Sequence, residues 1–244
     1  MFFWRKKSAE IPDLSWLAAD MHAHLLPGID DGAPDIETSV EMIRGLAALG
    51  YQKLIATPHI LGDIYPNTPD IIRGKLAEVR IALQDAGINV ALGAAAEYFI
   101  DDHFEDLLRE KAPLLTLKDN FVLVEFSMVT APYELQQVFF EMQIQDYQPV
   151  LAHPERYIYL DRRREIFDTL KDAGCLFQLN MLSLTGHYGR SVKELAEYLL
   201  EKGYYNFLGT DLHHPRHLAL LQKLATSPTL HAFRDYPLLN KNLL

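Results

Sequence analysis

Short apolar or β-branched runs recur along the chain, and each is followed by a stretch whose apolar positions repeat at helical spacing. Residues 17–22, 53–58, 89–95, 121–126, 149–152, 175–179 and 206–209 read as strands. The intervening stretches, near 35–49, 69–86, 104–110, 133–146, 162–173, 191–202 and 214–225, read as helices. Gly50, Gly87, Gly174 and Gly203 stand where helices stop, and glycine takes the left-handed conformation that such ends favour. Strand–helix alternation is the signature of a parallel sheet covered by helices. The pattern therefore predicts an α/β fold built as one closed, TIM-like barrel. No Gly/Ser-rich linker, low-complexity run or shift of composition divides it, so residues 1–16 read as an N-terminal extension and 17–244 as one barrel domain.

Composition narrows the partners. Of 244 residues, 49% are hydrophobic and 23% charged, which is ordinary for a globular chain able to bury a core. Lys and Arg number 23 against 33 Asp and Glu, a net charge of −10, and that field repels a polyanion. Nucleic acid is not expected as a partner, and an anionic substrate must meet local cations. Cys175 is the only cysteine; no disulfide can form within the chain, which suits a reducing compartment and makes the cytoplasm the expected location. Met1, Phe2, Phe3 and Trp4 precede Arg5, Lys6 and Lys7, the reverse of a secretory signal. This segment reads as a frayed terminus with, at most, weak contact to a membrane surface. No run reaches the roughly 18 apolar residues of a membrane span.

The chemistry lies at the strand ends. His22 and His24 follow the first strand, with Asp30 and Asp31 soon after; His59 follows the second, and Glu97 ends the third. Glu125 lies in the fourth, His153 follows the fifth, and Asp211 and His213 follow the last. In a parallel barrel these ends share one face, so residues remote in the chain converge on one pocket. Taken singly, each histidine reads equally well as a hydrogen-bonded structural residue. Glu97 and Glu125 sit amid Ala-Ala-Ala and Val-Leu-Val, where a carboxylate needs a metal or an ion-pair partner, Arg156 being the candidate. Imidazoles and carboxylates without thiolate suit Mn, Fe, Zn or Mg. Nine candidate ligands, His22, His24, Asp31, His59, Glu97, Glu125, His153, Asp211 and His213, exceed what one or two ions use, and three ions fit.

The run Asp20-Met21-His22-Ala23-His24, followed by Pro27 to Ala33, Thr57-Pro58-His59, Glu97-Tyr98, Glu125, His153-Pro154-Glu155-Arg156-Tyr157, Gln178-Leu179-Asn180 and Asp211-Leu212-His213, resembles the polymerase-and-histidinol-phosphatase superfamily. More narrowly, it resembles the bacterial tyrosine-protein phosphatase branch associated with capsule and exopolysaccharide synthesis. The resemblance implies a distorted (β/α)7 barrel with three divalent ions, manganese foremost, at its C-terminal mouth. It implies hydrolysis of phosphotyrosine on a bacterial tyrosine kinase. Carried onto this chain, the first ion takes His22, His24, Glu97 and Asp211; the second shares Glu97 and takes Glu125 and His153; the third takes Asp31, His59 and His213. Asp30 is the neighbour able to replace Asp31. Arg156 matches a phosphate-contacting arginine, Arg216 is the nearest match to a second, and Asp20 matches an acidic residue suited to orienting a histidine.

The chemistry so implied is in-line attack by a metal-bridged hydroxide, with cations and Arg156 stabilising the phosphoryl charge. A phenol with a pKa near 10 leaves with less protonation help than an alkoxide, which favours aryl phosphates. Thiol chemistry is disfavoured, because the residue six places after Cys175 is Met181 rather than the arginine a cysteine-dependent phosphatase requires. The rival readings are a histidinol-phosphate-type small-molecule phosphatase, an amidohydrolase or TatD-like nuclease, and a regulatory module without turnover. Arg162, Arg163 and Arg164 read as a solvated helix face, or as a dock for an acidic tail. His187, Tyr188 and Arg190 are candidates to line the mouth.

Overall fold

A computed structural model describes residues 12–130, 135–231 and 233–244; the apolar and basic N-terminal run and the first two residues of the helix expected from 133 lie outside them. The strands are β1 (Ala19–Ala23), β2 (Lys53–Ala56), β3 (His59–Ile60), β4 (Ala91–Ala94), β5 (Glu97–Phe99), β6 (Phe121–Glu125), β7 (Gln148–Ala152), β8 (Leu176–Asn180) and β9 (Tyr205–Gly209). Between and after them run α1 (Ile36–Ala48), α2 (Pro69–Asp85), α3 (Asp102–Arg109), α4 (Leu135–Ile144), α5 (Glu165–Asp172), α6 (Arg190–Glu201), α7 (Pro215–Ala225) and α8 (Pro228–His231). Side chains of Asp35, Thr68 and Asp101 accept from backbone N–H groups in the first turns of α1, α2 and α3, which fixes where these helices begin. Gly50, Gly87, Gly174 and Gly203 all take positive φ beyond helix ends. Among the described residues no helix is long and apolar enough to cross a membrane.

Every ladder is parallel, as the alternation requires, but the strands do not form the single closed ring expected from sequence. They make a three-stranded sheet, β1-β2-β4, and a six-stranded sheet, β3-β5-β6-β7-β8-β9. The second and third expected strands stop short, at Ala56 and Ala94, and each is followed by a further short strand that the pattern did not predict. Pro58 lacks an N–H and disfavours regular pairing around it, so β2 ends at Ala56 and β3 starts at His59. Ala95 and Ala96 lie between β4 and β5. Hydrogen bonds continue over the step, from Ala95 N to Ala56 O (2.8 Å) and from Glu97 N to Pro58 O (3.1 Å). At the far side, Ala23 and Leu212 form an isolated parallel bridge, with Asp211 N donating to His22 O (2.8 Å) and His24 N to Leu212 O (3.0 Å).

Two apolar layers hold this frame. One lies between strands and helices; the other, with Ala19, Met21, Ile55, Leu123, Val150 and Phe207, fills the space enclosed by the sheets. The alternation of β1 is reset within the strand: Asp20 pairs with Leu54 but Ala23 with Ala56, three steps against two. Such a bulge turns the following side chains to the other face. Met21 consequently packs inward below, while His22 and His24 face the mouth above. A second bulge lies between β8 and β9, where Phe177 pairs with Tyr205 but Gln178 with Phe207.

Candidate metal centre

Glu97 is the hub. It opens β5, is wholly buried, and its carboxylate faces four imidazoles: Oε2 lies 3.1 Å from His22 Nε2, 3.3 Å from His59 Nδ1 and 3.4 Å from His24 Nε2, and Oε1 lies 3.1 Å from His153 Nε2. Asp211 Oδ1 sits 3.3 Å from His22 Nε2, 3.4 Å from His24 Nε2 and 3.3 Å from His213 Nδ1. Asp31 Oδ1 faces His59 Nε2 at 3.4 Å and His213 Nε2 at 3.5 Å. All nine residues expected from sequence are thus brought together, eight at the ends of β1, β6, β7 and β9 and the starts of β3 and β5, and Asp31 from the loop between β1 and α1. They fall into four overlapping groups: His24, Asp31, His59 and His213; His22, His24 and Asp211; His22, Glu97 and His153; and His59, Glu97 and Glu125. In the expected second set, Glu125 stands nearer His59 (2.9 Å) than His153 (3.9 Å).

The donor atoms fit cations better than they fit protons. His22 Nδ1 donates to Gln178 Oε1 (2.9 Å) and His24 Nδ1 to Asp30 Oδ2 (2.8 Å). A neutral imidazole carrying its proton on Nδ1 turns the Nε2 lone pair into the site. The two Nε2 atoms stand 3.2 Å apart, and His22 Nε2 also meets Glu97 and Asp211; one N–H cannot serve three such neighbours. Burial opposes charging of His22, yet the adjacent Glu97 and Asp211 carboxylates carry its pKa above the ordinary value. The same contest puts His59 at about 10. Asp211 is held well below the usual carboxylate range, because His22 and His213 outweigh its burial. The pocket thus favours anionic oxygens and a compensating positive charge, and two protons pointed at each other across 3.2 Å supply it poorly.

His153 has φ 33° and Asp211 φ 49°, left-handed values that cost of order 1–3 kcal/mol and cluster at functional sites. Their carbonyls join tight turns immediately beyond the strands: His153 O accepts from Arg156 N (2.9 Å), and Asp211 O accepts from His213 Nδ1 (3.0 Å). Arg156 Nη1 donates to Asp211 Oδ2 (3.1 Å), so Arg156 is not the partner of Glu125. Arg216, exposed in the first turn of α7, lines the same cavity of about 360 Å³, as do Met128, His187 and Tyr188. Arg190 instead reaches outward to Glu194; Arg162 and Arg163 are exposed, but in the turn before α5 rather than on a helix face, and Arg164 pairs with Asp161 while covering the Tyr198 ring.

One pair of neighbours is distinguished only in three dimensions. Asp30 lies behind His24, whereas Asp31 points at His59 and His213. Asp20 accepts from Thr210 N (3.0 Å) and Thr210 Oγ1 (2.5 Å) rather than from a histidine ring, and burial pushes its carboxyl up to about 6. Gln178 and Asn180 are functional neighbours that pattern reasoning assigned no role: Asn180 Nδ2 donates to Asp211 Oδ2 (2.6 Å) and to Tyr188 Oη (3.1 Å). Their signals in the sequence are the motif Gln178-Leu179-Asn180, which carries part of the resemblance without a stated role, and the placing of two amides in the otherwise apolar Leu176–Asn180. Glu155, also buried, accepts from Asn180 N, Ser183 Oγ and Tyr205 Oη and so anchors the turn after β8.

The chain is similar to known proteins in sequence and in fold. Tyrosine-protein phosphatase YwqE of Bacillus subtilis is 32% identical over 197 residues, covering 80% of this chain and 76% of that protein. Tyrosine-protein phosphatase CpsB of Streptococcus agalactiae is 26% identical over 200 residues, covering 80% and 82%. A crystal structure from work on YwqE of B. subtilis and CpsB of Streptococcus pneumoniae, described as unique metal-dependent tyrosine phosphatases, superposes with a TM-score of 0.80 at 29% identity, covering 90% of this chain and 87% of that one. A family profile, "Capsular polysaccharide synthesis, CpsB/CapC", matches residues 18–223, a span that takes in every candidate ligand, and the chain belongs to that family.

Proposed function

We propose that this chain is a metal-dependent protein-tyrosine phosphatase, a phosphoric monoester hydrolase acting on the phosphotyrosine of a bacterial tyrosine kinase in capsular or exopolysaccharide synthesis. The observation that carries the reading is the single buried carboxylate of Glu97 in contact with four imidazoles from three different strands, His22 and His24 at the end of β1, His59 at the start of β3 and His153 after β7. Divalent cations, three on this reading and manganese before Fe, Zn or Mg, would supply charge neutralisation for the phosphoryl group and a lowered pKa for a water nucleophile. His22, His24, Glu97 and Asp211 are assigned to the first; Glu97, Glu125 and His153 to the second; Asp31, His59 and His213 to the third. The isolated bridge between Ala23 and Leu212 supports reading the two sheets as one distorted (β/α)7 barrel spanning 17–244.

The chain's own residues do the rest. Gln178 and Asp30 hold the His22 and His24 rings with their lone pairs inward. Arg156 spends one N–H group on Asp211 and keeps the others for phosphoryl oxygens, where a planar guanidinium is well matched. Arg216, at the rim, is assigned to a second oxygen or to the incoming peptide. A phenolate leaves without strong protonation, which suits a mouth built of bases and arginines. Cys175 takes no part: it is 1% exposed and burial pushes its thiol up to about 12, so no useful thiolate exists at neutral pH. We assign the protein to the cytoplasm, a reducing compartment that suits a chain whose one cysteine, Cys175, is a buried free thiol.

The test is hydrolysis of a phosphotyrosine peptide beside histidinol phosphate and a single-stranded oligonucleotide. Chelation with EDTA should abolish peptide hydrolysis, Mn²⁺ should restore it, and Cys175→Ser should leave it unchanged. Native protein should resist thiol reagents at pH 8 and react once on unfolding. Turnover that survives chelation, or a preference for either of the other substrates, contradicts the proposal.

A further inference from the structure

The turn after β8 holds a group that the reaction as outlined does not use. Residues 186–189 make a tight turn, Gly189 N donating to Gly186 O (2.9 Å), with both glycines at positive φ (77° and 97°). The backbone there is one that only glycine adopts freely. The turn exposes His187 and directs Tyr188 into the mouth, half-buried. The guanidinium carbon of Arg156 lies 4.6 Å from the Tyr188 ring centroid. The Tyr188 hydroxyl accepts from Asn180 Nδ2 (3.1 Å), the same nitrogen donates to Asp211 Oδ2 (2.6 Å), and that oxygen also accepts from Arg156 Nη1 (3.1 Å). Arginine, aspartate, amide and phenol thus close a ring of contacts, with the ring face as its one apolar side.

We propose that Tyr188 is a positioning residue for Arg156, fixing the plane of the guanidinium so that the nitrogens not held by Asp211 are presented to a phosphoryl group. The inference rests on the role given to Arg156 above. An arginine has several freely rotating bonds, and one end-on contact to a carboxylate leaves the guanidinium free to swing about it. A ring face beneath it removes that freedom while leaving every N–H available, because the attraction is to the face and not to a donor or acceptor. The hydroxyl has the separate task of seating the ring through Asn180. Ring and hydroxyl therefore separate by substitution.

The experiment measures inorganic phosphate binding by calorimetry on Mn²⁺-loaded protein, alongside KM and kcat for a phosphotyrosine peptide. Tyr188→Leu removes the face and should weaken phosphate binding and raise KM by about tenfold, the scale of a partly desolvated cation–π contact, with kcat changed less and bound manganese equal to wild type. Tyr188→Phe keeps the face and should recover most of the loss. In an Arg156→Lys background, Tyr188→Leu should have no further effect on phosphate affinity. If Tyr188→Leu does not fold, Tyr188→Trp and Tyr188→Phe, which both retain a face, must bind phosphate better than Tyr188→Gln, which has none. Equal phosphate affinity for Leu and Tyr, or full additivity with Arg156→Lys, overturns the proposal. A chain that shows this coupling yet fails to hydrolyse phosphotyrosine supports the positioning role and refutes the functional reading instead.

Discussion

Gln178 is the residue whose loss should be felt most beyond its size. Its Oε1 accepts from His22 Nδ1 (2.9 Å) and from the backbone N of His153 (3.3 Å), so one carbonyl oxygen orients a ring on β1 and pins the left-handed residue after β7. Outer partners of this kind typically contribute 10–100-fold in metal affinity. Gln178→Ala should therefore lower Mn²⁺ affinity by about that factor, read by competition with a chelator, with circular dichroism unchanged. An unaltered affinity would mean that the His22 ring is held by the site itself. Composition could not have pointed to Gln178, because a neutral amide carries none of the charge cost that singled out Glu97 and Glu125. Nor could it separate Asp30 from Asp31: both precede Gly32, and only the path of the turn sends one behind His24 and the other toward His59.

At the level of elements, the glycine after the second bulge does the spacing. A Cβ built on Gly209, the last residue of β9, would lie 2.7 Å from Gln178 Nε2 and 2.8 Å from His22 Cβ. Gly209→Ala should destabilise the fold by about 1–3 kcal/mol, the usual scale for overpacking, and should also disturb His22. Urea denaturation combined with Mn²⁺ titration checks both; a stable variant with wild-type metal binding would show that β1 and β9 can part slightly. The strand and helix positions were legible because hydrophobic spacing and terminal glycines are local signals. The break at Ala95–Ala96 and the two bulges were not. They follow from how strands pair across the sheets, a long-range property that no window of sequence contains. The clustering of the nine site residues was legible for the opposite reason: parallel strands place their ends on one side whatever the register.

The whole molecule keeps its chemistry at one end and its closure at the other. Leu243 is fully buried in the inner layer with Met21 and Phe207. Asn240 Nδ2 donates to Ala19 O (3.0 Å), at the start of β1, and to Leu208 O (2.7 Å), while Oδ1 accepts from Leu208 N (3.0 Å). Lys53 Nζ donates to Leu243 O (2.5 Å). Leu243→Ala should cost about 2–5 kcal/mol, the range for emptying a buried leucine site, with KM and manganese content unchanged; thermal denaturation and steady-state kinetics on the same preparation decide it. The C-terminal residues thus act as a stopper in the floor of the vessel whose open lip does the work. Durability and turnover are set at opposite poles, so selection can lengthen the protein's lifetime by refitting the stopper while leaving the lip, and the partners it meets, as they are.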